Sequence, residues 1–163
     1  SRRRHTRSVA VTGSSDVCSS DLVRDEKFHP LAYQALIYPC CDDTFKSESA
    51  TTLAEGYGLT TAIMEYFVDE YVHDADRKNP YAFPVHAKSL TGVAPAVIAT
   101  AQYDVLRDDG IAYAEKLKAD GVEVKYINFD KVTHGSFLYA GISSFTNSMH
   151  QKIADLILEQ LRA

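Results

Sequence analysis

Tyr103-Asp104-Val105-Leu106-Arg107-Asp108-Asp109-Gly110, followed after one helix-like and one strand-like segment by Thr133-His134-Gly135-Ser136-Phe137, is the stretch that decides the fold. The run before it, Ala96-Val97-Ile98-Ala99-Thr100-Ala101, is short and almost continuously apolar, which predicts a strand buried on both faces of a parallel sheet. Asp104 then stands at the carboxyl end of that strand. Open α/β sheets place their chemistry at this edge, because the loops there converge over a crevice. Asp108 is expected to cap a helix over roughly 109–120, with Ile111, Ala114 and Leu117 on one stripe and Gly121 as its left-handed stop. Around 123–129, apolar Val122, Val124 and Tyr126 alternate with Glu123 and Lys125, which predicts a half-exposed edge strand with His134 on the loop beyond it.

The interval from Asp104 to His134 is 30 residues, room for one helix and one strand, so the acid and the imidazole fall on neighbouring loops. A Ser-Asp-His hydrolase presents its last two members in this order. The carboxylate accepts from one imidazole nitrogen and fixes the tautomer while the other nitrogen deprotonates the serine. Taken singly, Asp104 is a strand-end carboxylate and His134 a loop histidine. Taken together with the elements between them, they read as the acid and base of a triad.

The same residues, with Ala112-Tyr113-Ala114-Glu115-Lys116-Leu117 and Gly121-Val122, resemble the C-terminal third of the hormone-sensitive-lipase-like branch of the α/β-hydrolases, largely microbial carboxylesterases. That family carries its triad acid in Asp-Pro-Leu-Arg-Asp-Glu-Gly and its base in His-Gly-Phe, which fall here on Asp104 and His134. Val105 stands where the family usually has proline, and Ser136 intervenes before Phe137. The resemblance extends to Gln34-Ala35-Leu36-Ile37-Tyr38-Pro39 and Gly56-Tyr57-Gly58-Leu59-Thr60, and so covers residues 23–163. It implies an α/β fold, the C-terminal part of an α/β-hydrolase with about three mostly parallel strands and flanking helices. It also implies a small-molecule ester substrate of short to medium acyl length, no cofactor and no metal. Relatives often pair through the last edge strand, so a homodimer through 123–129 is expected of the intact enzyme. Two other functions share the scaffold: a non-catalytic small-molecule receptor, in which the triad histidine is lost, and an amidase or acyltransferase using the same triad.

Residues 1–22 read differently. Ser1-Arg2-Arg3-Arg4-His5-Thr6-Arg7 is the translation of AGC AGA AGA CGG CAT ACG AGA, which resembles part of a common sequencing-library adapter. Val11-Thr12-Gly13 fits GTG ACT GGN and residues 14–22 fit AGT TCA GAC GTG TGC TCT TCC GAT CTN, the rest of that adapter with one inserted base, and 8–10 would be the index between the two halves. The segment is therefore expected to be non-native and is set aside from the fold. Three motifs go with it: the basic Arg2-Arg3-Arg4-His5, Cys18, and Val9-Ala10-Val11-Thr12-Gly13-Ser14-Ser15, which looks like a strand running into a nucleophile elbow with Ser15 in the Gly-x-Ser position. A nucleophile elbow also needs glycine two residues after its serine, where Val17 stands. In the family the Gly-x-Ser-x-Gly elbow precedes the segment resembling Val23-Arg24-Asp25, and the oxyanion loop lies earlier still. Residues 23–163 then hold the acid and base without the nucleophile, and this chain is expected to be inactive. The strand at 34–38 would also lose its neighbour and expose an apolar edge.

Setting the segment aside removes four arginines and two aspartates, which takes the net charge from −5 to −7 over 141 residues. That acidity disfavours nucleic acid or an anionic membrane as partner. No apolar run approaches the roughly 20 residues of a membrane span. Adjacent Cys40 and Cys41 lack metal-ligand spacing and read as thiols of a reducing, cytoplasmic setting.

Other segments carry less chemistry. Asp42 and Asp43 are expected in turn or capping roles, His73-Asp74-Ala75-Asp76 as a solvated turn, and His86 has no identifiable partner. Thr60 is expected to cap a helix whose stripe of Leu59, Ile63, Tyr66, Phe67 and Tyr71 serves core or cap packing rather than binding. Phe145, Met149, Ile153, Leu156, Ile157 and Leu161 predict a C-terminal helix packed on the sheet.

Overall fold

The computed structural model describes residues 8–12, 19–28 and 31–162. Four parallel strands form one sheet in sequence order: β1 (Ser8–Thr12), β2 (Leu31–Ile37), β3 (Ala96–Tyr103) and β4 (Val124–Thr133). Three of them are the strands expected of residues 23–163. The fourth, β1, comes from the segment set aside above and pairs along β2 from Ser8↔Leu31 to Thr12↔Leu36. The apolar edge expected on β2 is therefore covered. Unpaired N–H and C=O groups along a strand edge accept any β-competent segment that reaches them. Gly13-Ser14-Ser15, Arg2-Arg3-Arg4-His5 and Cys18 lie outside the described residues.

The sheet is a packed middle layer because β3 is apolar on both faces. Ala96 and Ile98 meet Tyr113, Ala114 and Leu117 of α4 (Arg107–Ala119) on one side. Val97, Ala99 and Ala101 meet Met149 and Ile153 of α5 (Ser144–Arg162) on the other. Each fully buried Val or Ile here contributes on the order of 2 kcal/mol by leaving water. Gly110 sets the closeness of α4. A Cβ built there would lie 2.5 Å from the Thr100 methyl, and Thr100 is itself fixed by its hydroxyl, 2.7 Å from the Tyr126 hydroxyl and donating at 3.0 Å to Asn128 Oδ1.

Two expectations change. Asp108 does not cap α4; the helix starts two residues earlier than expected, at Arg107, and Leu106 at its N-cap makes no side-chain capping bond. The Asp108 carboxylate instead crosses to α2 (Glu48–Thr52), where its Oδ2 accepts the Ser49 N–H at 2.7 Å. In α3 (Thr61–Tyr71), Thr60 does cap as expected, its Oγ1 accepting from the Ile63 N–H at 3.1 Å. The inward face of α3 is Met64 and Val68, which join Phe45, Leu53, Phe83 and Leu106. Ile63, Tyr66, Phe67 and Tyr71 are 41–59% exposed. This helix is apolar on more than one face, so periodicity alone did not say which one packs.

A short α1 (Ser19–Asp25) precedes β2 and docks on the loop leading into β3. The Ser20 hydroxyl accepts the Ala94 N–H at 2.9 Å, and Arg24 donates to the Ser89 and Thr91 carbonyls, each at 3.2 Å. Asp21 beside them is 1% exposed, and neither carboxylate oxygen has a hydrogen-bond partner. Among the described residues no helix is long and apolar enough to cross a membrane.

Candidate active site

The register between β3 and β4 places the two sequence-predicted residues side by side. Pairing runs regularly from Ala96↔Val124 to Ala101↔Phe129, then shifts so that Tyr103 pairs with Thr133. β4 thus carries extra residues over this interval, a bulge marked by the left-handed φ of +60° at Lys131, whose N–H donates to Gln102 Oε1 at 2.7 Å. The next residues on the two strands are Asp104 and His134.

Asp104 is 2% exposed. Its Oδ1 accepts the Leu106 N–H at 3.0 Å, which closes the turn into α4, and its Oδ2 lies 2.8 Å from His134 Nδ1. A buried carboxylate in this position makes Nδ1–H the favoured tautomer and leaves Nε2 as the basic nitrogen. His134 keeps 22% of its side chain exposed. Gly135 then turns the chain with a φ of +77°, a conformation that glycine adopts without strain.

Two further residues, Tyr38 and Asp109, lie in the stretches that carry the resemblance but have roles that the sequence does not reveal. Tyr38, just past β2, has a left-handed φ of +54°, and its ring centroid lies 5.0 Å from that of His134. Burial, reinforced by the negative Asp104, pushes its phenol up to about 12, so it stays protonated at neutral pH. Asp109, in the first turn of α4, is 5% exposed and accepts the Cys41 and Asp42 N–H groups, each at 3.2 Å, which holds the loop after β2 against the start of α4. Burial pushes its carboxyl up to about 7 despite those two donors.

The other carboxylates resolve into structural roles. Asp42 accepts the Thr44 N–H and hydroxyl at 3.0 and 3.1 Å, a turn role as expected. Asp74 and Asp76 lie in a short 3-10 turn. His86 does have a partner: its Nε2 is 2.6 Å from Asp43 Oδ1. These two lie 43 residues apart, with α2 and α3 between them, so the sequence offered no way to pair them. Asp42, Asp43 and His86 are close enough to suggest a metal, but Lys78 Nζ lies 3.5 Å from the Asp43 carboxylate and already supplies a cation. Burial opposes ionisation of Asp43, and the His86 bond and Lys78 outweigh it, holding the carboxyl below its usual range.

Asp104 and His134 are thus hydrogen-bonded just past the carboxyl ends of adjacent parallel strands, and comparison with known proteins gives the family. The sequence profile of the α/β hydrolase fold matches residues 15–138. The chain belongs to this family. Its match begins inside the 1–22 segment. Among characterised relatives, the chain is 36% identical over 138 residues to the carboxylic ester hydrolase LipN of Mycobacterium tuberculosis, covering 78% of this chain and 37% of LipN. It is 39% identical over 144 residues to the esterase LipI of the same organism, covering 82% of this chain and 44% of LipI. A solved esterase structure from the fungus Rhizomucor miehei superposes with a TM-score of 0.82 at 31% identity, over 88% of this chain and 45% of that one. The chain therefore spans less than half the length of these relatives.

Proposed function

We propose that residues 23–163 are the C-terminal portion of a serine carboxylesterase domain acting on short to medium acyl esters. Asp104 orients His134, which is the general base and then the general acid. The observation that carries this is the 2.8 Å bond from His134 Nδ1 to a buried carboxylate, with Nε2 left to take a proton. The relatives' names, carboxylic ester hydrolase and esterase, support the reaction class. A receptor that only binds its ligand has no use for a buried acid aimed at a partly exposed imidazole, so the enzyme reading is preferred.

The nucleophile and the oxyanion hole belong to sequence upstream of Val23, with residues 1–22 a non-native segment. β4 is an edge of the sheet and offers the surface through which the intact enzyme pairs with a second copy. The buried neighbours Cys40 and Cys41 fit a reducing, cytoplasmic setting. The chain as it stands is expected to hydrolyse p-nitrophenyl acetate and butyrate no faster than buffer does. Turnover that Ser15→Ala abolishes would instead make Ser15 the nucleophile and residues 1–22 native.

A further inference from the structure

We infer that Ser49 and Asp108 form a clamp that positions Asp104 for His134; this rests on the acid-base reading above. Ser49 is fully buried at the start of α2, far from Asp104 in sequence. Its hydroxyl donates to the Val105 carbonyl at 2.9 Å and accepts the Asp108 N–H at 3.2 Å, while its own N–H donates to Asp108 Oδ2 at 2.7 Å. These three bonds grip the residue just after Asp104 and the residue that starts the next turn.

The clamp does more than end a helix. α2 already has its own cap, with the Ser47 hydroxyl accepting the Ala50 N–H at 3.3 Å. Asp108 divides its oxygens, Oδ2 to Ser49 and Oδ1 to Arg107 Nε at 2.8 Å. Arg107 in turn donates from Nη1 to the Gln102 carbonyl at 3.4 Å, so the turn is braced from the strand side as well. Burial raises the Asp108 carboxyl, and the Arg107 and Ser49 donors outweigh it and keep it below its usual range, as a carboxylate held by donors should be. The turn's own bonds, Leu106 N–H to Asp104 Oδ1 and Arg107 N–H to the Asp104 carbonyl, set its shape. The clamp ties it to α2 as well. Removing the Ser49 hydroxyl leaves the buried Val105 carbonyl without that donor, and the turn must shift to recover one. Ser49 and Asp108 are thus positioning residues.

The test reads the tautomer of neutral His134 from its imidazole 15N shifts in the full chain, because the bond to Asp104 is what selects Nδ1–H. In the wild type Nδ1–H should dominate, and Asp104→Asn should abolish that dominance. Ser49→Ala should raise the ratio of Nε2–H to Nδ1–H by about threefold or more, a fraction of one hydrogen bond. The double variant Ser49→Ala/Asp108→Ala should do no more than the single one, since the pair acts as a unit. Asp108→Asn, close in shape, should shift the ratio less and in the same direction, and it keeps the test open if Ser49→Ala does not fold. Leu117→Ala, buried on α4 away from the turn, should lower Tm and leave the ratio alone. A wild-type ratio in both Ser49→Ala and Asp108→Asn, or an equal shift in Leu117→Ala, would overturn the clamp. A wild type no different from Asp104→Asn would overturn the acid-base reading itself, and the clamp with it.

Discussion

Replacing His134 with alanine in the intact enzyme should lower kcat/KM for a short-chain ester by about six orders of magnitude, and Asp104→Asn by about four. The two losses differ because the groups do different work. His134 moves the proton, so without it the serine has no base and the leaving alcohol no acid. Asp104 stabilises the imidazolium and selects its tautomer. An asparagine at 2.8 Å from Nδ1 can turn its amide N–H toward the ring, which favours the tautomer with Nδ1 unprotonated and Nε2 no longer basic. Steady-state kinetics on p-nitrophenyl butyrate would check both, with the loss expected in kcat and KM little changed. If either variant stays within about tenfold of wild type, the residue does not have the role given to it here.

Asp21→Asn should stabilise the chain at pH 7.5 and do nothing at pH 3. Asp21 lies buried in α1 with no hydrogen bond to either oxygen, and burial pushes its carboxyl up to about 6, the nearby Arg24 pulling it only partly back. A folded-state value above the unfolded one means that the stabilising contribution is present below about pH 4 and is lost as pH rises through about 6. Above pH 6 the ionised side chain destabilises the fold by about 3 kcal/mol. Thermal melts should show Tm of Asp21→Asn above wild type by about 6–12 °C at pH 7.5, converging in acid. Equal melting at both pH values would show that Asp21 finds a partner or water in solution.

The fold was legible because its signals were local. The apolar 96–101 run, the helix ending at Gly121 and the spacing from Asp104 to His134 each follow from short-range pattern, and the resemblance to the family rests on the same residues. The bulge that brings Asp104 beside His134 depends on a register shift at Lys131, which no alternation over 123–129 reveals. The partners of Asp108, Asp109 and His86 are set by loops meeting across 43 to 68 residues of chain, beyond the reach of any periodicity. The α3 stripe misled because a helix apolar on two faces gives one moment and hides the choice between them. Val9-Ala10-Val11-Thr12 has strand propensity whatever its origin, and β2 offers it an edge.

The central claim is that His134 and Asp104 serve a serine encoded upstream of Val23. Sequencing the source DNA through the Val23 codon after adapter removal, and translating what precedes it, tests this most directly. An in-frame Gly-x-Ser-x-Gly in place of residues 1–22 is the predicted result. Finding residues 1–22 intact in adapter-free genomic DNA would contradict it.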